Sequence, residues 1–325
     1  MANQPDTAQP VEAIRVGTCG WTDPTLIKAG TFYPAGTSTA EERLRFYASQ
    51  FPIVEVDATY YALPRQEQAG LWVERTPPDF VFNVKAYSLL TQHPTMAKTI
   101  PADLRDSILP EHQDKQRLYP NHLAREAVEE IWRRFAEALL PLDSAGKLGA
   151  VLLQFPEWFV PSRANREYLP LAKEKLAGYR TCVEFRNRAW LATDHDRERT
   201  LGLLRDLDLP LVCVDMPQGF RSSVPPIAEA TSPALSVVRF HGRDPEAWQK
   251  KTVTERFRYL YREDELAEWV PKIDHLAESA REVHVLMNNC YEDYGVRNAA
   301  QIADLIAKAG ASTSSSAGNA TRKAG

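Results

Sequence analysis

Eight short apolar segments recur along this chain, and each ends in a polar or charged residue. Apart from two longer gaps, they follow one another at about 30 residues, the spacing of one β-strand plus one α-helix. Eight such units predict an α/β fold, a TIM-like (β/α)8 barrel. The C-terminal ends of the strands, here called the mouth, carry the active sites of such barrels. The segments are RVGTCGW, VEVDATYY, FVFNVKA, VLLQFP, CVEFRNRAW, LVCVD, VVRFHGR and VHVLMNN.

The predicted barrel takes up almost the whole chain, which we therefore interpret as a single domain. We place this domain at residues 14–309 and expect the polar N-terminus (1–13) and the low-complexity tail (310–325) to be disordered. The pattern breaks after the third strand, between residues 91 and 121, where proline, histidine and charged residues are frequent. An insertion there forms either a lid or wall over the site or an irregular surface excursion. The predicted strands cover residues 16–20, 53–57, 80–85, 150–155, 181–185, 211–215, 236–240 and 283–288.

Charge and hydropathy disfavour several classes of partner. A net charge of −4 and a pI near 6.0 give no general attraction to nucleic acid or to an anionic membrane. The N-terminus lacks the apolar run of a signal peptide, and no segment approaches the roughly 20 apolar residues of a membrane helix. We therefore expect a cytoplasmic protein without a membrane partner, and the charge disfavours a nucleic-acid partner. Nothing in the sequence predicts an oligomeric state.

The four cysteines, Cys19, Cys182, Cys213 and Cys290, are far apart in the sequence and lie on or beside predicted strands. There is no CxxC motif, which disfavours a structural zinc site. We interpret them as reduced, buried thiols, because free cysteine is among the most buried residue types. Cys19 lies at a strand's C-terminal end and is an alternative nucleophile, although no histidine neighbours it in sequence.

Strand parity predicts which side chains point into the barrel. Successive side chains alternate between the two faces of a strand. In VEVDAT, for example, Val54 and Val56 oppose Glu55 and Asp57. The same phase recurs from strand to strand, so charges collect near the mouth, and they should pair because unpaired buried charges are costly. These charges are the carboxylates Glu55, Asp57, Glu184 and Asp215 and the cations Lys85, Arg186 and Arg239.

The inward charges allow two interpretations. The first is an ion-pair network that fixes strand register inside the barrel, and Glu55, the deepest of the charges, fits it best. The second is a substrate site, which is favoured because the groups converge at the mouth. Its candidate catalytic residues are Glu184, Asp215 and His241, which can transfer protons. Its candidate substrate-binding residues are Lys85, Arg186, Arg239, Asp57, Tyr60, Trp21, Gln154, Asn288 and Asn289.

The cations at the mouth indicate an anionic ligand. Arg186 and Arg239 can hold a phosphate, sulfate or carboxylate bidentately, and Lys85 can act as a point charge. A desolvated Lys85 would alternatively form a Schiff base. Aromatic residues near the predicted mouth would either stack on a flat ligand or pack the loops over the rim. They are Trp21, Phe32, Tyr33, Tyr60, Tyr61, Trp158 and Trp190.

Motifs for cofactors are absent from the sequence. Without GxGxxG after a strand, a P-loop or a GxSxG elbow, dinucleotide, NTPase and α/β-hydrolase functions lose support, and no cofactor is implied. Asp57, Glu184, Asp215 and His241 are hard ligands that could hold a divalent metal. No HExxH supports such a site and interleaved arginines oppose it, so we assign no metal ligands.

A series of motifs runs in order between residues 14 and 308: GTCGW at 17–21, FYP at 32–34, VEVDATYY at 54–61, FNVKA at 82–86, LLQFP at 152–156, VEFRNRAW at 183–190, RFHGR at 239–243 and NN at 288–289. This series resembles the YecE-like family, also called domain of unknown function family 72 (DUF 72). The resemblance implies a TIM-like barrel of the family's type and implies no reaction. Asp57 stands where the family usually has asparagine, which adds a negative charge at the mouth.

Our hypothesis is an enzyme that uses acid/base chemistry on a small anionic or phosphorylated substrate. Hydrolase, isomerase and lyase chemistry are equally compatible with the residues. One alternative is a metal-dependent phosphodiesterase or nuclease. Another is a protein that binds a ligand or nucleic acid without catalysis.

Overall fold

The computed structural model of the protein describes residues 13–250 and 252–321. The eight predicted strands are all present, and two further short strands lie in the segment after the third. Within the described residues, no helix combines the length and apolarity of a membrane span. The strands are β1 Ala13–Thr18, β2 Ile53–Val56, β3 Val81–Lys85, β4 Thr95–Met96, β5 Arg117–Leu118, β6 Leu148–Gln154, β7 Thr181–Glu184, β8 Val212–Asp215, β9 Leu235–Phe240 and β10 Glu282–Met287.

Eight of these strands form one parallel sheet in the order β7-β6-β3-β2-β1-β10-β9-β8. A parallel bridge between Val183 and Leu211 joins the two outer strands, β7 and β8, so the sheet curls into a nearly closed barrel. β4 and β5 form a separate antiparallel pair. The predicted TIM-like barrel is therefore confirmed.

Helices surround the barrel and connect most of its strands. The connection from β8 to β9, residues 216–234, has no helix and contains the helix-breaking pair Pro225-Pro226. The helices are α1 Pro24–Ala29, α2 Ala40–Gln50, α3 Gln66–Glu74, α4 Arg125–Ala138, α5 Leu140–Ser144, α6 Arg163–Lys175, α7 Asp194–Asp206, α8 Pro245–Trp248, α9 Val253–Arg256, α10 Glu263–Ala267, α11 Val270–Ser279 and α12 Tyr294–Thr321.

The barrel strands bury both of their faces, as parallel strands between helices and a barrel interior must. Polar side chains fill the interior in layers. In the lower layer, His284 lies 3.1 Å from Asn83 Oδ1 and 3.3 Å from Glu282 Oε2. Gly149 makes this layer possible, because a Cβ there would lie 2.5 Å from Asn83 Oδ1. The upper layer lies below the mouth and contains the charges predicted from strand parity.

The structure describes part of the C-terminal tail as helix. α12 continues through residues 310–321, which we expected to be disordered, while residues 1–12 and 322–325 lie outside the described residues. No proline interrupts this tail, and the amphipathic helix before it removes the cost of nucleating a new helix. The helices α10 and α11 are separate and meet at Trp269, where Pro271 follows in the first turn of α11.

The insertion at residues 91–121 consists of short 3-10 turns and the β4–β5 pair. It is firmly packed, since Ile100, Ile108 and Leu118 are all buried. Of its residues only His93 lines the cavity described below. The insertion therefore contributes one residue to the side of the cavity. Of the two alternatives from the sequence, a lid or wall fits this arrangement better than an irregular surface excursion.

Candidate functional site

A cavity of about 1180 Å³ opens at the mouth of the barrel. Its walls come from the loops and residues that follow the C-terminal ends of most barrel strands. Six of the predicted site residues line it: Trp21, Asp57, Tyr60, Lys85, Gln154 and Arg186. Asn288, at the end of β10, is a seventh. The position of the site predicted from the strand pattern thus coincides with the cavity.

Arg239 lies beneath this cavity and does not line it. The side chain is fully buried, and it donates to Glu184 Oε2 and to Glu55 Oε1, each at 2.5 Å. Its Nη2 also lies 3.9 Å from Asp57 Oδ1. Burial would lower the pKa of Arg239, but Glu184 and Glu55 raise it well above its usual value. Arg239 is therefore a permanent buried cation that joins two carboxylates, and it is not placed to touch a ligand in the cavity.

Glu184 uses both carboxylate oxygens to hold arginines. Oε1 accepts from Nε of Arg186, and Oε2 accepts from Arg239. Burial would raise the pKa of Glu184, but Arg186, Arg239 and His241 hold it well below its usual range. The carboxylate is fully buried and stays ionised. It orients the arginines and does not face the cavity, unlike the catalytic position that the sequence suggested.

His241 is fully buried behind the same carboxylate. Its Nε2 lies 3.3 Å from Glu184 Oε1, and its Nδ1 lies 2.8 Å from the Asn288 amide. Burial and the nearby Arg186 lower the pKa of His241 to about 3. Both ring nitrogens are occupied, so this neutral imidazole supports the arginine–carboxylate arrangement from outside the cavity.

Arg186 carries a free donor into the cavity. Its Nε pairs with Glu184, and its Nη2 lies 3.3 Å from Gln154 Oε1. The guanidinium carbon lies 5.4 Å from the centre of the Trp248 ring. Within the described residues Nη1 makes no hydrogen bond. Arg186 is thus held on one side and open on the other, the arrangement that anion binding requires.

Lys85 and Asp57 face each other across the cavity wall. Lys85 Nζ lies 3.4 Å from Asp57 Oδ1 and 4.8 Å from the centre of the Tyr60 ring. Asp57 Oδ1 is buried and has no hydrogen-bond partner within the described residues. This is a loose ion pair whose partners keep unused hydrogen-bonding capacity.

Six residues therefore form what we call the central cluster: Glu55, Asp57, Glu184, Lys85, Arg186 and Arg239. Three carboxylates balance three cations, which confirms the expectation that the buried charges pair. Glu55, the deepest, has one oxygen on Arg239 and no hydrogen-bond partner for Oε2 within the described residues. Burial raises the pKa of Glu55 to about 7 despite the nearby Arg239.

Asp215 is not part of the central cluster. It accepts from Arg243 at 2.8 Å, from the Tyr261 hydroxyl at 2.8 Å and from Trp269 Nε1 at 2.6 Å. Cys213 shares its strand face and lies near the carbonyl of Glu229, in the loop outside the barrel. The prediction that Asp215 is an inward catalytic residue is therefore corrected. We call Asp215, Arg243, Tyr261 and Trp269 the outer cluster.

Asn289 also lies apart from the cavity. Its amide donates to the Tyr259 carbonyl and to Asn298 Oδ1, each at 2.8 Å, and its side chain is fully buried. It fastens the segment after β9 to α12. The prediction that Asn289 binds substrate is corrected to a structural role, whereas its neighbour Asn288 does line the cavity.

The aromatic residues divide into two groups. Trp158 and Tyr61 line the cavity with 44% and 57% of their surface exposed, so they offer apolar area to a ligand. Phe32 packs on Phe46, and Trp190 stacks on Phe185 at 4.2 Å, away from the cavity. Tyr33, bonded to the Trp21 carbonyl, also serves packing.

Cysteine and metal chemistry receive little support from the geometry. Cys19 lines the cavity, but burial and Glu55 raise the pKa of its thiol well above the usual value, which disfavours a thiolate nucleophile. All four cysteines are free thiols. Within the described residues, no three histidine, cysteine or acidic side chains come together as metal ligands. Of the four residues considered as ligands of a divalent metal from the sequence, Asp215 lies in the outer cluster, apart from the other three.

Several residues that line the cavity were not predicted from the sequence, and three of them lie outside the strands and bring an imidazole, an indole and a guanidinium to it. His93 lies in the insertion, and Trp248 and Arg256 follow β9 in a segment of very short helices. None of them belongs to a strand, so strand parity gives no information about them. The one available signal was that two of the seven histidines, His93 and His112, lie between residues 91 and 121.

The chain matches the family described as "Protein of unknown function DUF72" over residues 15–322. This chain belongs to the DUF72 family. It is 32% identical over 298 residues to the UPF0759 protein YunF of Bacillus subtilis (strain 168), a match that covers 90% of this chain and 94% of YunF. The resemblance seen in the sequence motifs is therefore confirmed.

Solved structures of other DUF72 proteins share this architecture. A crystal structure of a DUF72 family protein from Enterococcus faecalis V583 aligns with a TM-score of 0.72 at 28% identity, covering 90% of this chain and 95% of that one. One from Thermotoga maritima MSB8 aligns with a TM-score of 0.71 at 30% identity, covering 90% and 98%. The DUF72 fold thus extends over nearly the whole described chain.

Proposed function

We propose that this DUF72 protein is an enzyme that binds a small anionic or phosphorylated substrate in the mouth cavity and acts on it by acid/base chemistry. The observation that carries the proposal is the pair Lys85 and Arg186. Both reach the cavity, and each keeps donors that no group within the described residues uses. An anion between them would complete their hydrogen bonding.

The rest of the central cluster explains how these two cations are held in place. Glu184 fixes Arg186 and is itself fixed by Arg239 and His241, so the guanidinium is oriented before a ligand arrives. Such preorganisation lowers the cost of binding. In this proposal Glu184, His241 and Arg239 are positioning residues.

Asp57 is the proposed proton-transfer carboxylate. It is the one carboxylate of the central cluster that lines the cavity, and it lies beside the cation that would hold the substrate. A carboxylate within reach of an anchored substrate can remove a proton from it or return one. Trp158 and Tyr61 provide apolar contact for the remainder of the substrate.

Calorimetry with inorganic phosphate tests the anion site directly. We expect Lys85→Met and Arg186→Met each to weaken phosphate binding about tenfold or more, because a charge-assisted hydrogen bond contributes about 1.5 to 3 kcal/mol. Arg75→Met is the matched control: Arg75 lines the same cavity, but it already pairs with Glu41 at 3.0 Å. Equal affinity in wild type and the Lys85→Met/Arg186→Met double variant would contradict the proposal.

A turnover screen then tests catalysis. Phosphorylated sugars and hydroxy acids are incubated with wild type and with Asp57→Asn, which keeps the size of the side chain and removes its basicity. We expect Asp57→Asn to bind phosphate at least as tightly as wild type and to lose turnover. Phosphate binding without turnover of any compound would favour a ligand-binding protein, and turnover that needs an added divalent metal would favour the phosphodiesterase alternative.

A further inference from the structure

We infer that His93 is a second proton-transfer group of this site beside Asp57, and that its Nε2 removes a proton from a carbon or hydroxyl next to the anionic group held by Lys85 and Arg186. This inference rests on the proposed function and narrows its substrate class to compounds with an acidic C–H or O–H beside a phosphate or carboxylate. The C–H or O–H bond breaks, its electron pair stays on the substrate as an enolate or alkoxide, and the proton moves to Nε2.

The inferred tautomer of His93 depends on the Thr91 hydroxyl behind its ring. Thr91 Oγ1 lies 3.3 Å from the Ser88 carbonyl and 2.9 Å from His93 Nδ1, and we infer that its single hydroxyl proton is donated to the carbonyl. The hydroxyl oxygen is then the acceptor for a proton on Nδ1. A neutral imidazole with its proton on Nδ1 has a lone pair on Nε2. Thr91 thereby makes Nε2 the basic nitrogen.

The same ring is held by packing and faces the cavity. The Tyr60 ring lies 5.1 Å from the His93 ring and the Trp158 ring 6.0 Å from it, both edge-on. His93 lines the cavity, and within the described residues Nε2 has no hydrogen-bond partner. His241 differs in each respect, since it is sealed from the cavity and both of its nitrogens are engaged.

The charges around His93 make its basicity depend on the substrate. Burial, Lys85 and Arg186 lower the pKa of His93 to about 3, and the remaining titratable group packed on the ring is the neutral Tyr60 phenol. A bound phosphate would neutralise the two cations and so strengthen His93 as a base. The group is unprotonated when the site is empty and gains proton affinity when an anion occupies it.

Nitrogen NMR of the full chain with labelled histidine side chains tests this inference, with His93→Asn used to assign the His93 signals and inorganic phosphate as the probe. We expect the Nδ1-protonated tautomer in the free protein. At saturating phosphate we expect the protonated fraction of His93 at pH 5 to rise at least tenfold. In Thr91→Val we expect a mixture of the Nδ1- and Nε2-protonated tautomers, whereas Thr91→Ser, which keeps the hydroxyl, should keep the Nδ1-protonated form. Chemical denaturation shows whether each variant is folded.

The outcomes separate the inference from the proposed function. If calorimetry shows phosphate bound while His93 carries its proton on Nε2 or keeps its proton affinity, the inference is wrong and the anion site stands. If phosphate does not bind at all, the proposed function fails and the inference fails with it. If Thr91→Val leaves the tautomer unchanged, Thr91 does not set it and the argument from its hydroxyl is overturned.

Discussion

Two carboxylate–arginine clusters lie at the C-terminal ends of neighbouring strands, and they are built for different purposes. In the outer cluster Asp215 accepts from an arginine, a tyrosine and a tryptophan, and its oxygens are saturated. In the central cluster Arg186 and Lys85 keep donors that face a cavity. Both clusters pair carboxylates with arginine. A candidate site differs from a structural cluster in one respect. Its charged group is held by protein partners on one side and has unused hydrogen-bond donors on the side that faces the cavity.

The largest expected effect is on the free energy of unfolding, when the central cluster loses Arg239 beneath the cavity. Arg239→Met removes the cation between Glu55 and Glu184, which leaves Glu55 buried without its hydrogen-bond partner and Glu184 with Arg186 as its remaining cation. Breaking a buried ion pair from one side typically costs about 3 to 5 kcal/mol. Urea denaturation should show a loss of that order in the free energy of unfolding. A loss of under 1 kcal/mol would mean that Arg239 does not hold the cluster together.

The next prediction distinguishes the two clusters, because a change in the outer cluster should lower stability without changing phosphate affinity. Asp215→Ala leaves the Trp269 indole, the Tyr261 hydroxyl and Arg243 without their shared acceptor, at a cost of about 3 kcal/mol. We expect unchanged phosphate affinity in the folded fraction, measured by calorimetry well below the melting temperature. Phosphate binding lost along with stability would show that the outer cluster also serves the site.

The stability of the central cluster should depend on pH, because its buried carboxylate Glu55 has one oxygen without a hydrogen-bond partner within the described residues. Its pKa of about 7 in the fold lies above its ordinary value of 4.5, so the folded state binds the proton more tightly. The resulting stability is complete below pH 4.5 and is lost as the pH rises towards 7, by up to about 3 kcal/mol. Wild type should therefore lose more stability than Glu55→Gln between pH 5 and pH 8. Parallel curves for the two proteins in urea denaturation would contradict this.

The smallest effect on stability is expected where the effect on binding is large. The Lys85–Asp57 pair is partly exposed and its nitrogen–oxygen distance is 3.4 Å, so Lys85→Met should cost under about 1 kcal/mol. Calorimetry should nevertheless show the tenfold weaker phosphate binding described above. A variant with lowered stability and normal affinity would place Lys85 with the structural residues.

Most of the fold could be predicted from the sequence because its signal is local. Short apolar segments at a regular spacing specify strands and their order, and the structure has all eight within a few residues of the expected bounds. Alternation also places Glu55, Glu184 and Arg239 correctly inside the barrel. Parity fails at Asp215 because both faces of a parallel strand are apolar, and local sequence then does not determine which face points inward.

The remainder of the site depends on contacts that are distant in sequence. Whether Arg239 reaches the cavity or lies beneath it depends on Glu55 and Glu184 from strands far along the chain. His93 enters the site because an irregular insertion folds against Tyr60 and Trp158. Neither arrangement leaves a repeating pattern in the sequence. Side-chain identity at strand ends could be predicted, but exposure to the cavity could not.

The closure of the barrel between β7 and β8 has a mechanical consequence. Within the described residues a single bridge, Val183 to Leu211, joins these strands, whereas the other neighbouring pairs share two to six registered residues. Arg239 on β9 reaches past β8 to Glu184 on β7, so this ion pair spans the weakest join in the wall. Partial opening there would separate Glu184 from Arg239 and remove the support behind Arg186. An anion that binds only while Arg186 is held in place would, by linkage, oppose that opening. The ligand would then stabilise the closed barrel.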